Sequence, residues 1–277
     1  MKRKGKLAWL TAPFGLWMLI FTVIPLVIVF YYAFTSSRSG EFTFDNIVKM
    51  QTFWKTMLVS IGFGALATVI CLILGYPLAY SISRAKGVKQ KTMVMLIMLP
   101  QWMNLLLRTY AWMTILENTG LINRFLGIFG IEPIQMINTD GAIILGMVYN
   151  FLPFMVLPIY SVMTKIDKSV LEAAQDLGAD GPNVFGRVIL PLSLPGIITG
   201  ITMVFVPSVS TFIISQLLGG GKRTLIGDLI EMYFLGTGGS PNFGVGSALS
   251  LVLMVLMVVC MAVMNRFGDK EGTGVML

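Results

Sequence analysis

The residues of this sequence that could do chemistry are few, and their types exclude more than they include. The chain has no His, and its two cysteines, Cys71 and Cys260, both lie inside apolar runs. Without His it lacks the commonest metal ligand and general base, and cysteines so placed predict neither a disulfide framework nor a paired metal site. No nucleophile stands beside a base, so catalysis by this chain alone is not expected. What remains is a set of polar and aromatic groups deep within apolar stretches. These are Trp102, Asn104, Arg108 and Tyr110, then Tyr149 and Asn150, then Ser208, Ser210 and Thr211. Together they could line a polar passage; taken singly, each has a plainer reading as helix–helix packing. Arg108 is the one charge placed within an apolar run, and intramembrane charges are costly and commonly functional. An acid near the outer face, Glu117, Asp228 or Glu231, or one on another subunit, is the expected partner in a structural ion pair.

The elements that must carry these groups follow from composition. Of 277 residues 56% are apolar and only 12% charged, about half the charge of a soluble domain. Six apolar runs, roughly 8–34, 57–83, 92–116, 141–163, 193–218 and 244–264, are long enough to cross a bilayer. The expected fold is all-α and polytopic, with six transmembrane helices in a single domain over 1–277. The first run far exceeds the apolar region of a signal peptide, so it is read as a retained helix. Prolines recur inside the runs, at Pro25, Pro77, Pro100, Pro153, Pro158, Pro195 and Pro207. Each removes a backbone donor, and a neighbour or a wet cavity must satisfy the freed carbonyl. Two connections, 120–133 and 224–234, have the periodicity of short helices lying at the interface.

Lys and Arg concentrate in short cytoplasmic loops. Thirteen basic residues, including Lys2, Arg3, Lys4, Lys6, Arg84, Lys86, Lys89, Lys91, Lys165 and Lys168, fall on one side of the predicted topology, and six on the other. Both termini and the connection 164–192 are therefore expected in the cytoplasm. The formal net charge of +7 is read as this orienting signal and not as a nucleic-acid footprint.

That connection holds LEAAQDLGADGPNVFGRVILP (171–191), a polar insert with a glycine at its centre. Ser169 and Glu172 have the spacing of a capping box. A short helix from Val170 to Leu177 would place Ala173, Ala174 and Leu177 on one compact face. Gly178 would end it, and Pro182 would open a second short helix running towards Pro191. The pair is expected to lie across the cytoplasmic mouth.

The run Glu172-Ala173-Ala174, then Gly178, then Val188-Ile189-Leu190-Pro191, resembles the EAA loop of ATP-binding-cassette (ABC) importer permeases; Val188 stands where the pattern usually has Ile. With LGYPLAYSISR (74–84), LPQWMNLLLRTYAW (99–112) and LGMVYNFLPFMVLPIYS (145–161), the chain is similar to the spermidine/putrescine (PotB-type) family of these permeases. The resemblance implies a type I importer (MetI-like) fold in a bacterial cytoplasmic membrane. It implies a homologous second permease, a dimer of cytoplasmic ABC ATPase subunits that binds ATP and Mg, and an extracytoplasmic solute-binding protein. This chain would bind no cofactor or metal itself. Glu172, Ala173, Ala174, Asp176 and Gly178 would couple it to the ATPase. Aromatic faces, carbonyls and hydroxyls of the deep residues would hold a polyamine loosely enough to release it, with Asp228 and Glu231 as candidate outer acids. The stretch GGGKRT (219–224) lacks phosphate-loop spacing, so no nucleotide site is expected here.

Overall fold

A computed structural model of the chain describes residues 13–36 and 40–272. The basic residues Lys2, Arg3, Lys4, Lys6 and Arg38 lie outside the described residues. The described residues are mainly helical, with one isolated antiparallel bridge between Thr35 and Phe42: α1 (Pro13–Ala33), α2 (Asp45–Met50), α3 (Trp54–Arg84), α4 (Gly87–Met98), α5 (Leu105–Leu116) and α6 (Leu121–Ile128). Then follow α7 (Asp140–Met163), α8 (Lys168–Asp176), α9 (Gly181–Ser210), α10 (Ile213–Gly219), α11 (Ile226–Leu235) and α12 (Phe243–Gly272). Short helices stand at both predicted interfacial connections, as α6 and α11. The chain divides into two compact units, residues 1–55 with 229–256 and residues 56–228 with 257–277.

Five helices are long and apolar enough to cross a membrane among the described residues, and the expected third span, 92–116, is not one of them. It is broken into α4 and α5. Pro100 cannot donate to the ladder, so α4 tightens into a 3₁₀ turn at Leu99–Trp102 and the backbone becomes extended at Met103 and Asn104. The Asn104 side chain accepts from the Leu106 amide at 2.8 Å, restarting the helix as α5. The expected fifth span, 193–218, differs at both ends. Its helix begins at Gly181 and stops at Ser210, with Thr211 extended before α10. Gly227 makes this break possible: a Cβ there would lie 2.5 and 2.6 Å from the Ser210 and Thr211 carbonyl oxygens.

In the unit of 56–228 with 257–277, α7 and α9 form the most extensive helix pair. Gly196 and Gly200 face α7 one turn apart. A Cβ on Gly196 would meet the Pro158 carbonyl oxygen at 2.9 Å, and one on Gly200 the Met155 sulfur at 2.8 Å. Such small residues let two backbones approach where lipid supplies no hydrophobic drive. Around them one apolar cluster gathers Cys71, Ala79, Met155, Ile159, Ile197 and Val204. A second, formed by Ile143, Met147, Ile214, Leu218 and Leu225, joins α7 to α10 and the turn before α11. In the other unit, Asn46 donates to the carbonyls of Ala33 and Thr35 at 3.3 and 3.0 Å, securing the end of α1. Phe34, Phe42 and Phe44 pack together beside it.

Gly196→Val is expected to force α7 and α9 apart. Overpacking of this kind costs about 1–3 kcal/mol, so the melting temperature of the purified protein in detergent should fall. Gly186→Ala, where the added carbon meets nothing within 4 Å, should leave it unchanged.

Candidate coupling site and passage

The insert around 164–192 is built from two caps and one glycine. Asp167, not Ser169, is the N-cap of α8: its carboxylate accepts from the Ser169 amide at 3.1 Å, and the expected capping box is absent. Its charge also suits the helix N-terminus, whose first amides have no intrahelical partner. At the other end the Gly178 amide donates to Gln175 O at 2.8 Å and the Ala179 amide to Ala174 O at 3.1 Å. This is a Schellman termination, and Gly178 supplies its left-handed residue at φ +86°.

The faces of α8 differ from expectation. Leu171 is buried, and Ala174 and Ala179 pack with it against the cluster of Met155, Ile159 and Ile189. Val170, Ala173 and Leu177 point away from the chain, Leu177 being 90% exposed. Ala174 therefore does not share a face with Ala173 and Leu177, because Leu171 fixes the inward direction and Ala174 follows it by one turn. Glu172 and Asp176 are both exposed.

The second helix does not stop at Pro191. Asp180 caps it, accepting from the Asn183 amide at 3.2 Å, and it continues as α9 through a π-turn at Phe185–Ile189. There the Leu190 amide reaches back to Phe185 O, a five-residue step that widens the helix ahead of a proline otherwise in collision with the carbonyl four residues earlier. Phe185 meets Tyr76 and Tyr80 edge-on at 5.7 and 5.6 Å, and Tyr76 shares a 3.0 Å hydrogen bond with Ser193. None of these anchors was singled out from sequence; an aromatic spaced one turn from another (Tyr76, Tyr80) was the available signal.

The deep polar residues fall into three groups. Trp102 and Tyr110 are exposed, at 68% and 46%, and Asn104 is occupied as the α5 cap. Tyr149 packs edge-on against Trp112 at 5.3 Å, Ser210 bonds back to Val206 O at 3.1 Å, and Thr211 is the extended residue between α9 and α10. The third group is buried with hydrogen-bonding capacity to spare: Arg108 Nε and Nη1, Asn150 Oδ1 and Ser208 Oγ have no partner. Asn150 is otherwise held, its side-chain amide nitrogen donating to Gly146 O at 2.8 Å and its backbone carbonyl accepting from Gln101 Nε2 at 2.8 Å.

The ion pair expected at Arg108 is not formed among the described residues. Asp228 is 4% exposed and accepts from Ser215 Oγ at 2.8 Å and from the Leu225 amide at 2.7 Å. Ser60 Oγ accepts from the next amide, Ile226, at 2.8 Å. These bonds cap α11 and make Asp228 a helix-terminal anchor. Glu231 is half-buried one turn further along α11. The GGGKRT stretch forms a turn, with Gly220 and Gly221 at positive φ and Arg223 bridging Asp140 at 2.9 Å.

Comparison with known proteins places these features. Residues 121–270 match the family described as "Binding-protein-dependent transport system inner membrane component". The spermidine/putrescine transport system permease protein PotB of Haemophilus influenzae is 38% identical over 263 residues, covering 90% of each chain. Its Escherichia coli namesake is 35% identical over 265 residues, covering 92% of this chain and 96% of that one. Among solved structures, a bacterial ABC transporter involved in the import of the acidic polysaccharide alginate matches with a TM-score of 0.78 at 19% identity, covering 97% of this chain and 96% of that chain. An inward-facing MetNI methionine ABC transporter matches at 0.54 and 16%, over 82% of this chain and 97% of that one.

Gly178→Ala puts a Cβ into a left-handed conformation and should cost about 1–2 kcal/mol at the end of α8. Amide hydrogen exchange over residues 172–179 should quicken accordingly, with α7 unaffected; Gly178→Asn should exchange at a rate nearer the parent.

Proposed function

Because the chain belongs to the family of binding-protein-dependent transport system inner membrane components, we propose that it is the permease of an importer for spermidine or putrescine, driven by ATP hydrolysis on separate cytoplasmic subunits. The observation that carries the coupling half of this reading is the two-sided construction of α8. One face is seated on the chain's own transmembrane core through Leu171 and Ala174. The other presents Val170, Ala173 and Leu177, rimmed by Glu172 and Asp176, as a peg for a cleft on another protein. Movement of such a cleft is passed to α3, α7 and α9 because Leu171 belongs to their cluster.

In the proposed topology the chain crosses the membrane six times, α4 and α5 together making one broken pass, and both termini face the cytoplasm. A dimer of ABC ATPases holds ATP and Mg and receives α8; a homologous permease completes the passage; an extracytoplasmic binding protein delivers the solute. The coupling residues are Glu172, Ala173, Asp176 and Gly178, with Ala174 acting from the inner face. Asn150 and Ser208 are the best-supported pathway groups, since unpartnered buried oxygens are places where water or a substrate ammonium group gains most. The polyamine assignment rests on the PotB relatives at 35–38% identity.

A different small solute is favoured by one observation. Arg108 is 6% exposed with two unpartnered N–H groups, and a polycation passing it needs an acid that another chain would have to supply.

The deciding experiment is ATP hydrolysis by the intact transporter in proteoliposomes with its binding protein. Spermidine is expected to stimulate hydrolysis several-fold, and Glu172→Lys or Gly178→Pro to abolish the stimulation while the complex still assembles. Stimulation by a different solute keeps the permease and discards the polyamine. Failure of any ATPase subunit to co-purify overturns the coupling role of α8.

A further inference from the structure

A cavity of about 720 Å³ lies where the end of α3, the start of α4, the end of α7 and the start of α8 converge. Three cations line it: Arg84 at the end of α3, Lys86 in the link to α4, and Lys168 at the start of α8. Gly87 also lines it and is the first residue of α4, a twelve-residue helix whose N-cap, Lys86, makes no side-chain capping bond. The free amides of that first turn carry partial positive charge of their own. Arg84 is held over the Tyr80 ring, 5.1 Å from its centre, and Tyr80 is braced in turn by Phe185. The opposing charge among the lining residues is Glu172 alone. No ion pair is recorded for Arg84, Lys86 or Lys168 among the described residues.

Orienting charges have no need to share a cavity. Lys89 and Lys91 belong to the same connection and serve topology equally well, yet neither lines the cavity. A guanidinium, two ammonium groups and an uncapped helix N-terminus on the lining of one cavity suit a tetrahedral oxyanion carrying more than one charge. The volume is several times that of a phosphate, which leaves room for an organic body beside the tyrosines.

We infer that this cavity is a binding site for a phosphate-bearing anion, either a lipid headgroup or a free phosphate ester. Bound there, the anion ties Lys168 at the start of α8 to Arg84 and Lys86 at the α3–α4 corner. It thereby restrains α8 next to Glu172. The site stands on the cavity's own geometry; its influence on ATP hydrolysis rests on the coupling role proposed above.

The test uses the intact transporter in nanodiscs. One arm titrates inorganic pyrophosphate calorimetrically in phosphatidylcholine discs. The other measures phosphatidylglycerol retained by the complex, by native mass spectrometry from mixed discs. The variants are Lys86→Gln with Lys168→Gln, which leaves the Arg84–Tyr80 stack in place, and Lys89→Gln with Lys91→Gln as the off-site control. The lining pair is expected to weaken the bound anion at least about tenfold, and the control pair to bind as the parent does. Loss confined to the pyrophosphate arm identifies a free phosphate ester, and loss confined to the lipid arm a headgroup. Equal binding by parent and lining variant, or no binding to either in both arms, overturns the site. ATP hydrolysis is read in the same samples: binding lost with hydrolysis unaltered keeps the site and removes only its hold on α8.

Discussion

The close approach of α9 to α7 is the constraint on which the seating of α8 depends. Gly196 and Gly200 stand where any side chain would strike the Pro158 carbonyl or the Met155 sulfur. Between apolar helices in lipid, contact area and backbone proximity replace the hydrophobic effect as the source of cohesion. The cluster closed by this contact also receives Leu171 from α8 and Ile189 from the start of α9. The solvent-facing helix is thus anchored in the membrane-embedded packing, and Leu171 and Ala174 are the side chains through which α8 meets the cluster of Met155 and Ile159.

The same solvent dictates where the chain is allowed to break. Non-helical backbone at depth must find partners or be covered by protein. Asn104 caps the restart at α5, and the turn into α11 is closed by Ser60 and Asp228, each accepting from a backbone amide. Pro25 and Pro191 are each preceded by a π-turn, at Leu19–Val23 and Phe185–Ile189, ending two residues ahead of the ring. The wider turn relieves the clash with the carbonyl four residues back while the helix continues. Proline here changes the pitch of the spans more than it ends them.

Much of this was legible in the residues. Long apolar runs pointed to a membrane helical bundle, and the EAA-like spacing located α8 and its terminating glycine. The breaks were not legible, because hydropathy is blind to them: Leu105, Leu106 and Leu107 read as apolar span whether or not Asn104 caps a new helix before them. The N-cap was misplaced by two residues since Ser169 and Asp167 are equally good capping types, and only geometry distinguishes them. The anchoring of Asp228 was not legible either, because sequence shows a carboxylate without the Ser215 hydroxyl and Leu225 amide that bond to it. The inward turn of Ala174 was hidden for a similar reason, as a pair of adjacent alanines carries no sign of which one the core selects.

The π-turn at Phe185–Ile189 has a consequence for how the loop can change in length. A π-turn amounts to one residue inserted into an α-helix. Deleting one residue there would restore the regular ladder and swing everything N-terminal to it by about 100° about the helix axis. Losing or gaining a residue between Asp180 and Pro191 would therefore turn α8, and the face that carries Leu171, away from the cluster on which it is seated. The spacing from Gly178 to Pro191 is accordingly a stricter requirement of this fold than the identity of the exposed residues within it.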